Sequence, residues 1–426
     1  MSDFASMNRE ELDDARRELQ QRYEDFKGRN LALDITRGRP CAEQLDLSIK
    51  MLDCVNSTNL NDHNALYRNY GELAGLPIAR EFFAKYLGVK PEEVIVGGNS
   101  SLRMMYDMVE RAMYKGVASD MPPWKEYPKV KFLCPVPGYD RHFAITEFHG
   151  IEMINIPLLE TGPDMNMVEE LVRDDASVKG IWCVPKYSNP TGTIYANDTV
   201  RRLAWMPTAA KDFRIFWDNA YMSHTLENEQ AYLEDILAEC KKADNDNRVY
   251  IFTSTSKITF AGSGVAMMAS SAANVRHMLT QIGYQTIGPD KINQLRHVRF
   301  LQNEMTIEDL MQMHAKILRP KFEAVYAVLE REFASAPIAT WTRPSGGYFI
   351  SYDAPQGTAA EIVRMAKDAG AKFTPAGNTF PYGKDPEDSN IRIAPSLPDV
   401  PEIAAATELL AICTKLAYVN KLLGAK

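Results

Sequence analysis

Apolar and polar residues alternate with a helical period at the start of the chain. The apolar positions recur every three or four residues, which predicts an amphipathic helix. They are Leu12, Ala15, Leu19, Tyr23 and Phe26. Asn8 precedes this pattern and Glu11 follows three residues later, so we expect the pair to cap the N-terminal end of the helix.

From about residue 75 to 270, helical patterns alternate with short runs rich in β-branched and aromatic residues. The runs are EEVIVGG, KVKFLCPVPGY, IEMINIP, VKGIWCVPKYSNPTG, FRIFWDNAY and RVYIFTSTSK. They are apolar at successive positions, which is typical of strands buried on both faces. The pattern therefore predicts an α/β domain with a predominantly parallel sheet between helical layers.

After about residue 290 the pattern changes to three long helices with two strand-like pieces, GGYFISYD and SNIRIAPS, between them. This predicts a smaller α+β domain, which we expect to pack with the N-terminal helix. The predicted divisions are residues 1–60 for the N-terminal helix and segment, 61–305 for the large domain and 306–426 for the small domain.

Composition narrows the classes of partner. The chain has 426 residues, more than one hydrophobic core usually supports, and its net charge of -8 disfavours binding to nucleic acid or to a membrane surface. The six cysteines are scattered without metal-ligand spacing, so we expect reduced thiols and no metal site. With neither a targeting pattern nor a run of roughly 20 apolar residues, a cytoplasmic protein acting on small molecules is expected.

Polar residues follow the predicted strands. Asn189, Asp218 with Tyr221, and Lys257 come after three successive runs, at the edge where α/β sheets bind ligands. Each alone has a simple structural explanation: a turn, a helix cap or an exposed strand-end lysine. Together they supply the amine, the carboxylate and the hydrogen-bond donors that pyridoxal 5'-phosphate (PLP) requires.

These residues belong to motifs spread over nearly the whole chain. The motifs are TRGRP, RNYGELAG, CPVPGYDRHF, SNPTG, WDNAY, TSTSKITFAGSGV, GGYFIS and RIAPSLP. In this order they resemble the fold-type I PLP enzymes, the aspartate aminotransferase superfamily, and are most similar to a bacterial aspartate aminotransferase group catalogued beside MocR-type domains. The resemblance implies a mostly parallel seven-stranded sheet in the large domain, PLP as cofactor, amino acid and 2-oxo acid substrates, and a homodimer with shared active sites.

The resemblance also implies roles for the central residues. Lys257 matches the lysine that binds the cofactor covalently and later moves a proton between the substrate Cα and the cofactor, a task that suits an amine whose pKa falls on burial. Asp218 matches the carboxylate that pairs with the pyridine nitrogen. Asn189 and Tyr221 match the pair that hydrogen-bonds the 3'-oxygen of the ring.

The cofactor phosphate is expected at the GGNSS turn, where a strand leads into a helix whose N-terminal amides favour an anion. The expected phosphate-binding residues are Gly98, Asn99, Ser100, Ser101, Ser254 and Ser256, with Tyr70 reaching across from the partner subunit. Many relatives carry an arginine about eight residues after the lysine, but Val265 or Gly264 stands there and the next arginine is Arg276. Lys291 is one candidate to supply that charge.

The remaining matches concern the ring and the substrate. Tyr139 matches the aromatic residue that stacks on the pyridine, although it could be a half-buried turn tyrosine. Arg392 matches the arginine that binds the substrate α-carboxylate, although it could be a surface residue on an apolar stem. Gly38 matches the glycine that closes over the substrate. The candidates for a side-chain carboxylate are Arg37, Arg39 and Arg141.

The function implied is transfer of an amino group from aspartate to 2-oxoglutarate. Another amino donor, such as 2-aminoadipate or an aromatic amino acid, and a PLP-dependent lyase remain open because the same core site serves them all. A PLP-sensing transcription regulator is a further alternative, but it would need a DNA-binding module that the sequence before Tyr67 does not resemble.

Overall fold

The computed structural model describes residues 4–424. Within this range the helices are α1 (Arg9–Lys27), α2 (Ala42–Asp46), α3 (Pro77–Leu87), α4 (Ser101–Lys115), α5 (Asp140–Phe148), α6 (Met165–Asp174), α7 (Asn197–Trp205), α8 (Ile236–Lys242), α9 (Ala272–Ile282), α10 (Lys291–Arg299), α11 (Ile307–Phe333), α12 (Ala359–Asp368) and α13 (Val400–Leu422). The strands are β1 (Leu33–Asp34), β2 (Val94–Val96), β3 (Lys131–Val136), β4 (Glu152–Leu159), β5 (Gly162–Pro163), β6 (Val178–Cys183), β7 (Arg214–Asp218), β8 (Val249–Ser254), β9 (Ala266–Ala269), β10 (Thr340–Trp341), β11 (Ile350–Asp353), β12 (Ala371–Lys372) and β13 (Asn390–Ile393).

The large sheet has eight strands in the order β2-β9-β8-β7-β6-β3-β4-β5. Its central strands β8, β7, β6, β3 and β4 run parallel, whereas β9, β2 and β5 pair antiparallel with their neighbours. The predicted fold class is confirmed, with one strand more than the seven expected. The extra member, β5, is a two-residue edge strand.

The large sheet is buried on both faces. In β7, Ile215 and Trp217 belong to the hydrophobic cluster on one side, and Phe216 belongs to the cluster on the other side. Successive side chains of a strand point to opposite faces, so an uninterrupted apolar run requires cover on both. This is the arrangement that the continuous runs predicted.

The N-terminal helix forms as the sequence predicts. Asn8 accepts a hydrogen bond from the backbone N–H of Glu11, whose side chain accepts from the backbone of Asn8, so the capping box is complete. The buried face carries Leu12, Leu19, Tyr23 and Phe26, which lie in one cluster with residues of α11, α12 and α13. The predicted division of the chain at residues 60 and 305 stays a prediction.

The segment between α1 and Tyr67 contains the short helix α2 and 3-10 turns at Ile49–Asp53 and His63–Ala65. Gln44 of α2 is fully buried and bonds Tyr348 Oη and His314 Nδ1 at 2.9 and 2.7 Å, which holds the segment on the body of the protein. None of the helices within residues 4–424 has the length and apolar character needed to span a membrane.

Candidate active site

The carboxyl ends of β6, β7 and β8 bring three predicted residues to one edge of the large sheet, where Asn189 and Lys257 line a cavity and Asp218 does not line it. Asn189 follows β6, Asp218 ends β7 and Lys257 follows β8, and these three strands are adjacent and parallel. The cavity has a volume of about 560 Å³. Its lining residues are Thr36, Arg37, Gly38, Arg39, Tyr139, Asp140, Arg141, Asn189, Tyr221, Lys257, Phe349, Thr374, Pro375, Asn378 and Arg392.

Lys257 lies in an environment that favours the neutral amine. Desolvation lowers its pKa, and the nearby carboxylate of Asp218 opposes this effect only in part. Its Nζ lies 5.0 Å from the centroid of the Tyr221 ring. Tyr348 Oη and His224 Nε2 contact the backbone carbonyl of Lys257 at 3.5 and 3.3 Å. These contacts fix the backbone of the turn after β8 and therefore the direction of the Lys257 side chain.

Asp218 is buried and is held by a histidine that the sequence analysis did not identify. One carboxylate oxygen, Oδ2, lies 2.9 Å from Nε2 of His142, while Oδ1 has no hydrogen-bond partner within residues 4–424. A carboxylate oxygen accepts, so His142 donates from Nε2. The imidazole stacks on Trp182 with 4.4 Å between the ring centroids. This stacking fixes the imidazole of His142, which in turn orients the Asp218 carboxylate.

Arg392 reaches the cavity from the second, three-stranded sheet. It lies in β13, opposite Ser351 of β11, and is 6% exposed. Its Nη1 donates to Asp140 Oδ1 at 2.9 Å and to Asn189 Oδ1 at 3.3 Å. The guanidinium also lies 4.9 Å from the centroid of the Phe349 ring, so its plane is fixed by stacking and by hydrogen bonds.

Two tyrosines close the sides of the cavity. Tyr139 precedes α5, and its ring meets that of His142 edge-on at 4.9 Å. Tyr221 is 5% exposed. Burial raises the pKa of both phenols, and the Asp218 carboxylate raises them further, so both remain protonated donors.

Gly38 is needed because Phe349 lies directly against it. A Cβ at this position would stand 2.5 Å from the ring of Phe349. The surrounding segment is anchored from both sides, since Thr374 Oγ1 donates to Thr36 O at 2.9 Å and Ser396 Oγ donates to Arg39 O at 2.8 Å. The segment from Thr36 to Arg39 lines the cavity, and its closure over a substrate stays a prediction.

Three exposed arginines, Arg37, Arg39 and Arg141, line the mouth of the cavity. None of them forms an ion pair with any residue in the 4–424 range. Together with Lys257 and Arg392 they give the lining five basic side chains against one carboxylate, that of Asp140. The electrostatic field of this cavity favours anions.

The residues predicted to bind phosphate form a neighbouring group that does not line the cavity. Ser256 Oγ donates to Asn99 O at 3.3 Å and accepts from Ser254 Oγ at 3.1 Å, so the loop before Lys257 meets the turn at Gly98. Ser100 is the N-cap of α4 and Ser101 is its first residue. This places free helix N-terminal amides beside the strand-end serines.

The position where relatives carry an arginine offers no charge in this chain. Val265 is 1% exposed, and its N–H donates to Thr255 Oγ1 at 2.9 Å. Lys291 is also buried, but its Nζ donates to Gly71 O at 3.3 Å. Asn293, also in α10, donates to Gly264 O at 2.9 Å, so the N-terminal end of this helix adjoins the glycines after Lys257.

Tyr70 is not part of the cavity formed by this single chain. Its side chain is 82% exposed, and the adjacent Gly71 lies against Gly288. Tyr284 and Ile287 beside this contact are also strongly exposed, at 96% and 62%.

A sequence model of the aspartate amino-transferase family matches residues 7–426. The chain belongs to this family.

Individual members of the family match over almost their full length. A protein of Mycolicibacterium smegmatis, provisionally named an aminotransferase, is 49% identical over 99% of this chain and 100% of its own. The aspartate aminotransferase of Corynebacterium glutamicum is 44% identical over 94% of this chain and 93% of its own. The crystal structure of an aspartate transaminase from Corynebacterium glutamicum superposes with a TM-score of 0.95 at 42% identity, covering 98% of this chain and 99% of that one.

Three residues of the candidate site were not predicted from the sequence: His142, Asp140 and Phe349. A signal existed for His142, because it follows Tyr139 by three residues at the start of a helix and therefore shares its face. The two others lie inside motifs that were identified, PGYDRHF and GGYFIS. The contact of Asp140 with Arg392 depends on how the second sheet packs against α5, and that of Phe349 depends on the pairing of β11 with β13. No local pattern reveals either arrangement.

Proposed function

We propose that the protein is a PLP-dependent aspartate aminotransferase that transfers the amino group of aspartate to 2-oxoglutarate. Family membership supports aminotransfer. The observation that carries the assignment of a dicarboxylic substrate is the basic lining of the cavity, in which Arg37, Arg39 and Arg141 have no ion-pair partners within residues 4–424.

The residues at the sheet edge fit PLP. Asp218 keeps one buried carboxylate oxygen without a hydrogen-bond partner inside residues 4–424, which suits a protonated pyridine nitrogen. Asn189 and Tyr221 would bind the ring oxygen, and Tyr139 would cover the ring. The amides and hydroxyls of Gly98, Asn99, Ser100, Ser101, Ser254 and Ser256 would bind the phosphate.

When bound, the cofactor acts as an electron sink for the bond broken at the substrate Cα. Lys257 would supply the covalent attachment and would then hold and move the Cα proton, a task that needs the neutral amine, which desolvation favours by lowering the pKa of Lys257. Asp218 would keep the pyridine nitrogen protonated, and His142 would hold Asp218 in place for this role. Burial of Tyr221 and Arg392 excludes water from the groups that contact the substrate.

The substrate would be held at both ends. Arg392 is assigned to the α-carboxylate because its planar guanidinium is nearly buried and oriented by Phe349. Arg37, Arg39 and Arg141 are assigned to the side-chain carboxylate of aspartate or 2-oxoglutarate. Gly38, pressed against Phe349, keeps the covering segment close enough to exclude solvent.

We also propose a homodimer with shared sites, in which Tyr70 of one subunit reaches the phosphate of the other. The strong exposure of Tyr70, Tyr284 and Ile287 around one contact supports an interface there. Mixing Lys257→Ala and Tyr70→Ala subunits tests this. Shared sites predict that the mixed dimer regains activity absent from either parent, because one of its two sites is intact.

A panel of amino donors with 2-oxoglutarate tests the substrate assignment. Aspartate should give the highest kcat/KM, and 2-aminoadipate and the aromatic amino acids should give lower values. A panel in which aspartate ranks among the poorest donors would overturn the assignment while leaving aminotransfer in place. Release of ammonia and an oxo acid without an amino acceptor would indicate a lyase instead.

A further inference from the structure

Asp140 forms an ion pair with Arg392, the arginine to which the substrate α-carboxylate is assigned. Its Oδ1 lies 2.9 Å from Arg392 Nη1, a normal charge-assisted hydrogen bond. The Arg392 side chain is 7% exposed and that of Asp140 is 27% exposed, so the contact lies at the inner wall of the cavity. Asp140 is also the only acidic residue among those that line it.

The contact with Asp140 leaves some hydrogen-bond donors of the Arg392 guanidinium unused. Both hydrogen bonds from Arg392, to Asp140 and to Asn189, are made by Nη1, whereas the buried Nε has no partner within residues 4–424. A planar guanidinium can bind a carboxylate through two parallel hydrogen bonds, and Asp140 makes one. Asp140 is therefore a weaker partner than a free carboxylate that approaches the fork directly.

Asp140 also has an alternative interaction partner, the N-terminal end of its own helix α5. It is the first residue of α5, directly after the N-cap Tyr139. The first amides of a helix have no intrahelical acceptor and attract negative charge. A carboxylate released from Arg392 can therefore turn toward the end of its own helix, which makes the release less costly.

We infer that Asp140 competes with the substrate α-carboxylate for Arg392 and so lowers the affinity of the site for carboxylates. This inference rests on the proposed function and deepens it by naming a residue that sets substrate affinity. Every α-amino acid and 2-oxo acid presents this carboxylate, so the effect does not depend on which amino donor the enzyme prefers.

Binding calorimetry on the PLP-loaded protein tests the inference with two unreactive ligands. Propionate presents a single carboxylate and succinate presents two. Asp140→Asn keeps the shape of the side chain and removes its charge, and Asp140→Ala removes the contact. Both variants should bind both ligands more tightly than the wild type by about tenfold or more, the size expected for loss of one competing charge-assisted hydrogen bond.

Two controls separate competition from a general change in charge. Glu147→Gln removes an exposed carboxylate from the same helix and should leave both dissociation constants unchanged. In an Arg392→Gln background, Asp140→Asn should have no further effect, because both changes act through one guanidinium.

Several results would overturn the inference. Weaker or unchanged binding in Asp140→Asn would mean that Asp140 holds Arg392 in place rather than competing for it. Absence of binding by the wild type and both variants would also overturn it, because Asp140 would then not be the barrier. Failure of the proposed function would be seen separately, as lack of aspartate turnover by the wild type in the donor panel.

Discussion

Asp218 combines two properties at the scale of a single residue: it is buried, and one of its oxygens is unpaired within the described range. His142 satisfies Oδ2 at 2.9 Å and is itself fixed by stacking on Trp182. A buried polar atom without a partner normally costs about 1–3 kcal/mol, which supports the proposal that the pyridine nitrogen of the cofactor pairs with this oxygen.

Replacing Asp218 should therefore reduce turnover strongly. Asp218→Asn keeps the shape but cannot hold a proton on the pyridine nitrogen, and kcat for aspartate should fall by about 100-fold or more, a loss typical of an essential proton-holding group. Steady-state kinetics on PLP-saturated protein measure it. Asp235→Asn, which keeps an acceptor at the N-cap of α8, is the matched control and should retain wild-type kcat. Equal activity of the two variants would contradict the role of Asp218.

Gly38 lies where the Phe349 ring leaves no room for a side chain. Gly38→Ala would place a methyl group 2.5 Å from the Phe349 ring, so the covering segment or the ring must move. We expect a loss of about 1–3 kcal/mol in the free energy of unfolding, together with a raised KM. Gly262→Ala meets no atom within 4 Å and serves as the control in the same urea titration. A Gly38→Ala protein as stable as Gly262→Ala would show that the contact is not restrictive.

At the scale of secondary-structure elements, the sequence predicts the features that depend on residues close together in the chain. The runs that became β3, β6, β7 and β8 are long, apolar and followed by polar motifs, so both the strands and the residues at their ends were foreseeable. Strand β9 was not, because AMMA contains neither β-branched nor aromatic residues, and β5 is only two residues long.

Contacts between residues distant in sequence are the second feature that the sequence does not predict. His142 and Asp218 are 76 residues apart, and Arg392 and Asp140 are 252 apart. Each pair depends on how a helix packs against a neighbouring strand or sheet, and hydrophobic periodicity carries no information on that packing. The family resemblance supplied roles for Asp218 and Arg392, but it did not supply the partners that orient them.

The capping box of α1 gives a prediction at this scale. Asn8→Ala removes the acceptor for the Glu11 amide and should cost about 1 kcal/mol of stability, because α1 buries one whole face on the C-terminal helices. Asn8→Ser retains an acceptor and should stay within a few tenths of a kcal/mol of the wild type. Urea denaturation of the three proteins measures this. Equal loss in both variants would mean that the cap contributes nothing.

For the whole molecule, buried histidines link stability to pH. Desolvation is the main cause that lowers the pKa of His224 to about 3 and of His297 and His314 to about 4. In the unfolded chain each would titrate near 6.5, so between these values the unfolded state binds more protons than the folded state. The protein should therefore lose stability as the pH falls from about 6.5 towards 4 and should not lose it by this route above 6.5.

His297→Gln tests this linkage away from the active site. It removes one such proton, so the dependence of the unfolding free energy on pH below 6.5 should become shallower by up to ~1.4 kcal/mol per pH unit. Replacing the exposed His63 by Gln provides the comparison and should leave the slope unchanged. The same slope in the wild type and in His297→Gln would contradict the account.

The charge distribution of the whole molecule supports the same substrate class. The chain carries a net charge of -8, yet the cavity at the sheet edge is lined by four arginines and a single acid, Asp140. Concentrating positive charge in one cleft of an acidic protein attracts anionic substrates to that cleft rather than to the surface in general.

The most direct test of the central claim is a half-reaction. Aspartate is added alone to the PLP-loaded protein, and the oxaloacetate released is measured against bound cofactor. An aminotransferase with Lys257 as the proton-moving group should release about one equivalent and then stop until 2-oxoglutarate is added, and Lys257→Ala should release none at a comparable rate. Continuous release of product without an oxo acid acceptor, no release by the wild type, or undiminished release by Lys257→Ala would contradict the account.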